Sequence, residues 1–287
     1  MSTAPLVVTV LLLGLVVVAA VMALTAARAK QLGVVAVVDV AWGSGFVVLA
    51  LVSAMIGSAA AVSAGGDARR WLVAVLVAAW GLRLAWHVRS RASASGTVEE
   101  DPRYTEMLGG SLEQVGLATA VKRVFVVQGA AMWVVSLPVM VGSAVDLAWW
   151  PFLLLGVVVW AVGLTFETVG DAQLRRFMAR PRESRPPIMD QGLWGLTRPP
   201  NYFGDACGWW GMWLAAGLAS GWAAGLATVV APVAMTLFLR NVTGARLLER
   251  KMSQREGWDS YAARVPMFFP RLPGRAKPGS SDSSTQD

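Results

Sequence analysis

Long runs of apolar residues are the feature that most constrains the fold of this chain. Several of them exceed the ~20 residues that an α-helix needs to cross the hydrocarbon core of a bilayer. Hydrophobic residues make up 55% of the 287 positions and charged residues only 15%, whereas a soluble domain carries roughly a quarter charged residues. The sequence therefore predicts an all-α integral membrane protein.

The runs predict about seven transmembrane helices, with inner loops that roof a ligand cavity. The first run has no Lys or Arg before it and is too long for a typical signal-peptide core, so we interpret it as a retained span. The last two runs are short and would cross only if extended or tilted. The predicted spans are Leu6–Ala27, Gly33–Ala61, Trp71–Val88, Val124–Val141, Leu147–Phe166, Gly208–Ser220 and Trp222–Leu239.

The positive charges predict the orientation of these spans. With the N-terminus outside, 22 of the 25 lysines and arginines lie on inner segments; Arg69 and Arg70 lie outside and Arg83 lies within a span. Positive residues concentrate on the cytoplasmic side of membrane proteins. We therefore predict a multi-pass protein of the cytoplasmic (inner) membrane, with its N-terminus outside and its C-terminus in the cytoplasm.

We predict one seven-helix membrane domain over residues 1–273, with a cofactor-binding half at about 167–270. Residues 274–287 are rich in Gly, Ser and polar residues, so we expect a disordered tail. The chain has a single cysteine, Cys207, and a single histidine, His87. These counts exclude a disulfide framework and a His/Cys metal cluster within one chain. Neither a metal nor a nucleic acid is predicted as a partner, and the oligomeric state is left open.

Three polar residues interrupt the predicted spans in their inner halves. Asp39 lies ~13 Å from the inner face, Arg83 ~9 Å and Gln128 ~7 Å, at 1.5 Å per helical residue. An ionised residue at such depth costs at least ~2.5 kcal/mol unless it is paired or hydrated. The residues predict an Asp39–Arg83 ion pair, a polar floor of a substrate cavity that also includes Trp42, or both.

The predicted fifth span continues into a polar helix end. Glu167, Asp171 and Arg175 are spaced i, i+4 and i+8, which places them on one helix face. They form either a solvated helix end with ordinary ion pairs or a ligand site. In a site, the acidic groups would accept hydrogen bonds from ribose or amide donors, and Arg175 would meet phosphate. We expect the helix to stop by Pro181, with an extended linker over residues 182–187.

The segment from Gln191 to Asp205 places an unusual density of polar residues between two apolar regions. Its core, Arg198-Pro199-Pro200-Asn201-Tyr202-Phe203-Gly204-Asp205, resembles the Arg-His-Pro-Asn-Tyr-Phe-Gly-Glu signature of the membrane reductases and methyltransferases grouped around steroid 5α-reductase. The stretches around Asp39-x2-Trp42-Gly43, Trp80 to His87, Glu100 to Tyr104, Glu167 to Phe177 and Gly244 to Pro270 are similar to the bacterial branch of that family. The resemblance covers about Asp39 to Pro270.

This resemblance implies a seven-helix membrane reductase that holds NADPH under its cytoplasmic loops. Its partner would be a lipid, either a steroid, an isoprenoid or a fatty-acyl chain, whose activated carbon–carbon double bond is reduced. Asp171 would bind the adenosine or ribose side, Arg198 the phosphate and Asn201 the nicotinamide amide. Tyr202 would lie beside Asn201, and Glu249 and Tyr261 would complete the cofactor wall. Trp194 and, from the helix face described above, Arg175 are further candidates for the cofactor site.

The chain departs from the family signature at one position, because Pro199 stands where the family has histidine. In the allied methyltransferases, such as those acting on isoprenylcysteine, the Arg-His-Pro element belongs to the S-adenosylmethionine site. The change therefore counts against methyl transfer more than against reduction. The alternatives are a lipid or isoprenoid methyltransferase and a non-catalytic membrane protein.

Hydride addition to an enone leaves an enolate-like charge that needs a proton donor or an oxyanion partner. Tyr104 is the first candidate for this catalytic role, with Glu100 and Asp101 tuning the mouth of the pocket. His87, the one imidazole, is either an interfacial hydrogen-bonding residue or a further catalytic group. The alternative for Asp101 and Arg103 is an ordinary loop ion pair.

Overall fold

The structure, a computed structural model, describes residues 3–60, 64–94, 100–242, 249 and 252–271. Across these ranges the chain forms helices and no β-strand, apart from an isolated bridge between Arg198 and Met267. The predicted all-α class is confirmed. The predicted tail, residues 274–287, lies outside the described ranges.

The described helices follow one another along the chain in this order. They are α1 (Thr3–Leu32), α2 (Val37–Ala59), α3 (Ala64–Ala94), α4 (Pro102–Leu108), α5 (Leu112–Val115), α6 (Leu117–Ala120), α7 (Val126–Val135), α8 (Leu137–Ala144), α9 (Trp150–Met178), α10 (Pro200–Met212), α11 (Trp222–Thr228), α12 (Val230–Leu237) and α13 (Trp258–Arg264). One turn of π-helix, Val121–Phe125, joins α6 to α7 without a break.

Six helical segments in the described ranges are long and apolar enough to cross a membrane. They are Thr3–Leu32, Val37–Ala59, Asp67–Ser90, Leu117–Val135, Trp150–Met178 and Trp222–Asn241. A multi-pass membrane protein is thus confirmed. The predicted span Gly208–Ser220 is not among the six; it forms the second part of a helical run that begins at Pro200. The seventh span stays a prediction.

One predicted span, Val124–Val141, differs in its bounds. The helix begins earlier, at Leu117, and is interrupted at Ser136 before α8. Pro138, at the start of α8, has no N–H to donate to the preceding helical turn, so the helix cannot run through it unchanged. The apolar run therefore forms two helices instead of one.

The chain forms two compact units. The first unit consists of Met1–Ala161 and Gly208–Met235, and the second of Val162–Cys207 and Thr236–Asp287. The second unit contains all the residues implied in the cofactor site, whereas residues 208–235, which the prediction counted in the cofactor-binding half, belong to the first.

In the first unit, helices α2 and α3 touch through their backbones. A Cβ atom on Gly43 would lie 2.4 Å from the Gly81 carbonyl oxygen, and one on Gly81 would lie 2.5 Å from the Gly43 oxygen. Small residues permit this approach, which is how membrane helices gain packing contacts. Beside this crossing, Phe46 contacts Trp42, Trp80 and Trp209, with ring centroids 5.1, 5.5 and 4.7 Å apart.

The Gly43–Gly81 contact gives a direct test of this packing. We expect Gly81→Ala to lower the thermal unfolding temperature in detergent, since overpacking a close contact costs typically 1–3 kcal/mol and the obstacle here is backbone. Gly208→Ala is the matched control, because its Cβ would meet only a Trp160 ring atom at 4.0 Å. Equal melting temperatures for the two variants would contradict the close approach of α2 and α3.

Two adjacent arginines at the start of α3 are buried in the first unit, although the sequence placed them on an outer connection. Arg69 donates hydrogen bonds to the carbonyls of Gly142 and Val145 and, at 2.5 Å, to the Ser220 hydroxyl. Arg70 donates to the Ser143 carbonyl at 2.6 Å. Unsatisfied carbonyls at a helix C-terminus attract cations, so both arginines hold the end of α8.

In the second unit, the C-terminal half of α9 packs against the beginning of α10. A Cβ on Gly204 would lie 2.5 Å from the Gly163 carbonyl oxygen. Helix α9 ends at Met178, which confirms the predicted stop before Pro181. The following linker is not fully extended, because Arg182–Ser184 forms one turn of 3-10 helix.

Candidate functional site

The first unit gathers a polar cluster around Asp39, made of Asp39, Asp101, Arg103, Tyr104 and Gln128, which we call the Asp39 cluster. The Tyr104 hydroxyl donates to Asp39 Oδ1 at 2.5 Å and accepts from Gln128 Nε2 at 3.1 Å. These residues come from α2, α4 and α7. The structure thus connects Asp39 and Gln128, predicted for the substrate cavity, with Tyr104, predicted as the proton donor.

Arg103 supplies the positive charge of this cluster. Its Nη2 lies 3.1 Å from Asp39 Oδ2 and 2.8 Å from Asp101 Oδ2. The hydrogen bonds with Asp101 raise the pKa of the Arg103 guanidinium above its usual value. The predicted Asp39–Arg83 ion pair is wrong, because the cation beside Asp39 comes from α4. Arg83 is half-buried in α3, and its place in a substrate cavity stays a prediction.

One interpretation of Asp101 and Arg103 from the sequence was a loop ion pair, and the structure confirms the pair. Asp101 also caps α4, since its side chain accepts from the Arg103 backbone N–H at 2.8 Å. A capping carboxylate satisfies an unpaired N–H of the first helical turn. The pair therefore fixes both the start of α4 and the position of the guanidinium beside Asp39.

Glu100 holds the start of α2. Its carboxylate accepts hydrogen bonds from the backbone N–H groups of Val35 at 2.6 Å and Ala36 at 2.9 Å. A negative group at a helix N-terminus is stabilised by the unpaired N–H groups and by the helix dipole. This contact anchors the segment before α4 to the beginning of the helix that carries Asp39. The catalytic role of Glu100 stays a prediction.

Tyr104 is buried, with 4% of its surface exposed. Burial, followed by the negative charge of Asp39, raises the pKa of its hydroxyl well above the usual value. The phenol therefore keeps its proton at physiological pH. His87 is half-buried in α3, where its main-chain carbonyl accepts from the Ser90 hydroxyl at 2.9 Å; its catalytic role stays a prediction.

The second unit contains a site centred on Arg198, formed by Trp194, Arg198, Glu249, Trp258 and Tyr261, which we call the Arg198 site. The Arg198 guanidinium lies 5.2 Å from the Trp258 ring centroid and 5.6 Å from the Tyr261 ring centroid. Its Nη2 is 3.1 Å from Glu249 Oε1. Cation–π contacts with the two rings hold the guanidinium in a defined place, although it makes few hydrogen bonds.

The polar atoms of Arg198 are incompletely satisfied. The residue is only 9% exposed, and its buried Nε and Nη1 find no hydrogen-bond partner within the described part of the chain. A buried donor without an acceptor costs ~1–3 kcal/mol, more when the group is charged. This arrangement is typical of a site that binds a ligand carrying hydrogen-bond acceptors.

The backbone around Arg198 is held on both sides by the segment after α13. Arg198 N donates to the Pro266 carbonyl at 3.1 Å, and its own carbonyl accepts from Phe268 N at 3.2 Å. The Thr197 hydroxyl donates to the Phe268 carbonyl at 2.7 Å. Phe268 has a φ of 78°, which is an outlier for a bulky residue. The unit therefore keeps a strained residue beside the candidate site.

Tyr261 and Trp194 link this site to α9. The Tyr261 hydroxyl donates to the Trp194 carbonyl at 2.8 Å, and Trp194 Nε1 donates to the Gly170 carbonyl at 3.0 Å. Burial raises the pKa of Tyr261 above its usual value, so its ring carries no charge beside Arg198. The hydrogen-bonded pair of Tyr261 and Trp194 thus forms a rigid, neutral wall of the site.

A second group of hydrogen-bonded residues begins at Asn201, shortly after Arg198 in the sequence. Asn201 Nδ2 donates to Asp171 Oδ1 at 3.4 Å, and Asn201 Oδ1 accepts from Tyr202 N at 3.1 Å. Asp171 is buried at 7% exposure, as is Glu167 at 4%. Arg175, predicted to meet phosphate from the same helix face, is exposed.

The structure brings together four residues implied in the cofactor site, namely Trp194, Arg198, Glu249 and Tyr261, and links Asp171, Asn201 and Tyr202 in a second group. Reasoning from the sequence missed Trp258. Its one available signal was its i, i+3 spacing to Tyr261, which puts two aromatic rings on one face of α13. It also missed Arg103 as the partner of Asp39, although Arg103 directly precedes Tyr104.

Comparison with known proteins identifies the family and no individual relative. No curated protein and no solved structure matches the chain. The model of one family, described as "Protein of unknown function (DUF1295)", matches residues 24–265, which include both the Asp39 cluster and the Arg198 site. The chain therefore belongs to this family, the family of steroid 5-alpha reductase-like proteins.

Proposed function

We propose that this protein is an NADPH-dependent membrane oxidoreductase that reduces an activated carbon–carbon double bond in a lipid. The observation that carries the proposal is the Arg198 guanidinium, buried between two aromatic rings with Nε and Nη1 unpartnered in the described residues. Guanidinium groups bind phosphate through paired, charge-assisted hydrogen bonds. A dinucleotide supplies such phosphates.

The neighbouring residues fit the other parts of a dinucleotide. Asn201 offers an amide with both a donor and an acceptor, and Asp171 offers a carboxylate to which hydroxyl or amide groups donate. Each group has more than one hydrogen-bonding position, and their mutual contact at 3.4 Å uses one on each. The rings of Trp258 and Tyr261 provide flat apolar surfaces. Within the proposal, these residues bind and orient the cofactor without a Rossmann fold.

When bound, NADPH supplies a hydride. The residue that we assign to the accompanying proton is Tyr104, since its raised pKa keeps the hydroxyl protonated. Asp39 and Gln128 fix the orientation of this hydroxyl at 2.5 and 3.1 Å. In the ligand-free protein the phenol donates its one O–H to Asp39, so a ketone oxygen must replace Asp39 as the acceptor before this hydroxyl stabilises the enolate-like charge that develops there.

We further propose that the inner segments face the cytoplasm, because they carry 22 of the 25 lysines and arginines. Single cysteines introduced at Gly110 and Arg185, in a Cys207→Ser background, should react with a membrane-impermeant label only from the cytoplasmic side. Labelling of either position in intact cells would overturn this orientation.

Titration of the purified protein in detergent with NADPH, NADH and S-adenosylmethionine tests the proposed function. We expect binding of NADPH and none of S-adenosylmethionine. Binding of S-adenosylmethionine alone would contradict the reductase proposal and favour a methyltransferase. Binding of none of the three ligands would favour a non-catalytic membrane protein.

A further inference from the structure

The carboxylate of Glu249 occupies the position on Arg198 that an anionic ligand needs. A guanidinium has two edges that bind an anion through two hydrogen bonds, Nε with Nη2 and Nη1 with Nη2. Nη2 belongs to both edges. Glu249 Oε1 lies 3.1 Å from Nη2, so one carboxylate oxygen stands at the corner that either bidentate arrangement must use.

The contact between Glu249 and Arg198 Nη2 is weak. It is an ion contact without full hydrogen-bond geometry, since Glu249 Oε1 finds no hydrogen-bond partner among the described residues. It also leaves Nε and Nη1 unsatisfied within the same residues. A phosphate oxygen pair on either edge would satisfy Nη2 together with one of these two atoms, which the single carboxylate oxygen does not do.

The two side chains differ in their freedom to move. The Arg198 side chain is 11% exposed and lies over two rings, whereas the Glu249 side chain is 28% exposed. Turning Glu249 toward water regains the hydration of its carboxylate, which offsets part of the loss of the ion pair. Moving Arg198 would instead break its contacts with both rings. Displacement of Glu249 is therefore the lower-energy way to open the site.

We propose that Glu249 is a built-in competitor, a carboxylate that holds the phosphate position of Arg198 in the ligand-free protein and leaves it when a phosphate-bearing ligand binds. The inference deepens the proposed function by assigning a regulation to the same site. It also departs from the role that the family resemblance implies for Glu249, since a wall residue strengthens cofactor binding and a competitor weakens it.

The sign of one mutational effect decides between these roles. We expect Glu249→Gln, which keeps the shape and removes the charge, to bind inorganic pyrophosphate and NADPH more tightly by roughly tenfold, the lower end of what a charge-assisted contact contributes. Glu183→Gln is the matched control, because Glu183 is an exposed carboxylate of the same unit. It removes the same charge and should bind both probes as wild type does.

Isothermal titration calorimetry of the full-length protein in detergent measures both probes. Equal or weaker binding of both probes to Glu249→Gln overturns the inference, and weaker binding assigns Glu249 to the cofactor wall. Tighter binding of pyrophosphate, with no NADPH binding by either protein, supports the inference and rejects the proposed cofactor. NADPH binding that is equal in wild type and Glu249→Gln supports the cofactor and rejects the competitor.

Glu249→Asp keeps the experiment informative if Glu249→Gln does not fold. The shorter side chain retains the charge but withdraws it from Nη2 by about one methylene. We expect its affinity for pyrophosphate to lie between those of wild type and a fully released site, so an affinity at or below that of wild type contradicts the inference.

Discussion

Arg198→Ala should weaken NADPH binding roughly ten- to a hundredfold, the loss that follows removal of a charge-assisted contact of ~1.5–3 kcal/mol. The guanidinium is the buried cation of its site and has two unpartnered nitrogens within the described residues. The variant removes the charge and also opens a space between Trp258 and Tyr261. Calorimetric titration of NADPH into wild type and variant measures the effect.

The ionic strength of the same titration separates a phosphate contact from simple loss of packing. Ion pairs weaken as salt rises, so wild-type affinity should fall between low and high salt more steeply than that of Arg198→Ala. Arg264→Ala is the matched control, because its side chain is 64% exposed and pairs with Asp190 in the same unit. It should bind NADPH as wild type does.

Arg198→Lys sharpens this prediction. Lysine keeps the positive charge but lacks the planar fork that stacks on rings and binds phosphate through two nitrogens. We expect an affinity between those of wild type and Arg198→Ala. If wild type binds NADPH and Arg198→Ala binds it equally well, the Arg198 site does not hold phosphate.

The parts of this fold that follow from local patterns were predictable from the sequence. Apolar runs of sufficient length predict membrane spans, and the described residues include six helical segments long and apolar enough to cross a membrane. The end of α9 followed from Pro181. The interruption at Ser136 could also have been read from Pro138, but an apolar run on both sides of a proline looks like one span when hydropathy alone is considered.

The partners within each site required tertiary information. Asp39 and Arg83 have similar predicted depths, which made their pairing plausible, yet depth does not tell which helix faces give contact. Arg103 reaches Asp39 across 64 positions of sequence. Likewise, Trp258 contacts Arg198 although it lies 60 residues later in the sequence. The residues around either position do not predict this contact.

Family motifs succeeded where local patterns failed, because they record which distant segments meet. The motif residues Arg198, Glu249 and Tyr261 form one site in the structure, although no periodicity connects them. The motif gave no role to Glu249 beyond the cofactor wall. Only the position of its carboxylate at Nη2 points to competition with a ligand.

Tyr104→Phe should lower turnover by roughly 10²- to 10⁴-fold, the usual contribution of a positioned proton donor, while NADPH affinity stays unchanged. The change removes one oxygen atom from a buried side chain and leaves the ring. Measurement of NADPH oxidation in a single turnover, with lipid extracted from a strain that lacks the gene, separates this step from cofactor binding. Such an extract should contain the accumulated unsaturated substrate.

The pH dependence of the wild-type reaction gives a second readout. Tyr104 acts in its protonated form, and its pKa is raised in the folded protein by burial and by Asp39. An acid with a raised pKa keeps its proton to higher pH, so the alkaline loss of turnover that Tyr104 causes should lie above pH ~10, the ordinary range of tyrosine. Gln128→Met, which removes one hydrogen bond to the hydroxyl, should reduce turnover less than Tyr104→Phe.

A purely structural role of Tyr104 predicts a different pattern. Tyr104→Phe would then leave Asp39 without a donor at 2.5 Å and lower the free energy of unfolding by ~1–3 kcal/mol, but turnover per folded molecule would not change. Thermal unfolding and single-turnover rates measured on the same preparation distinguish the two roles. A stable variant with wild-type turnover would show that the proton comes from another group, and the Asp39 cluster would then be a structural link between α2, α4 and α7.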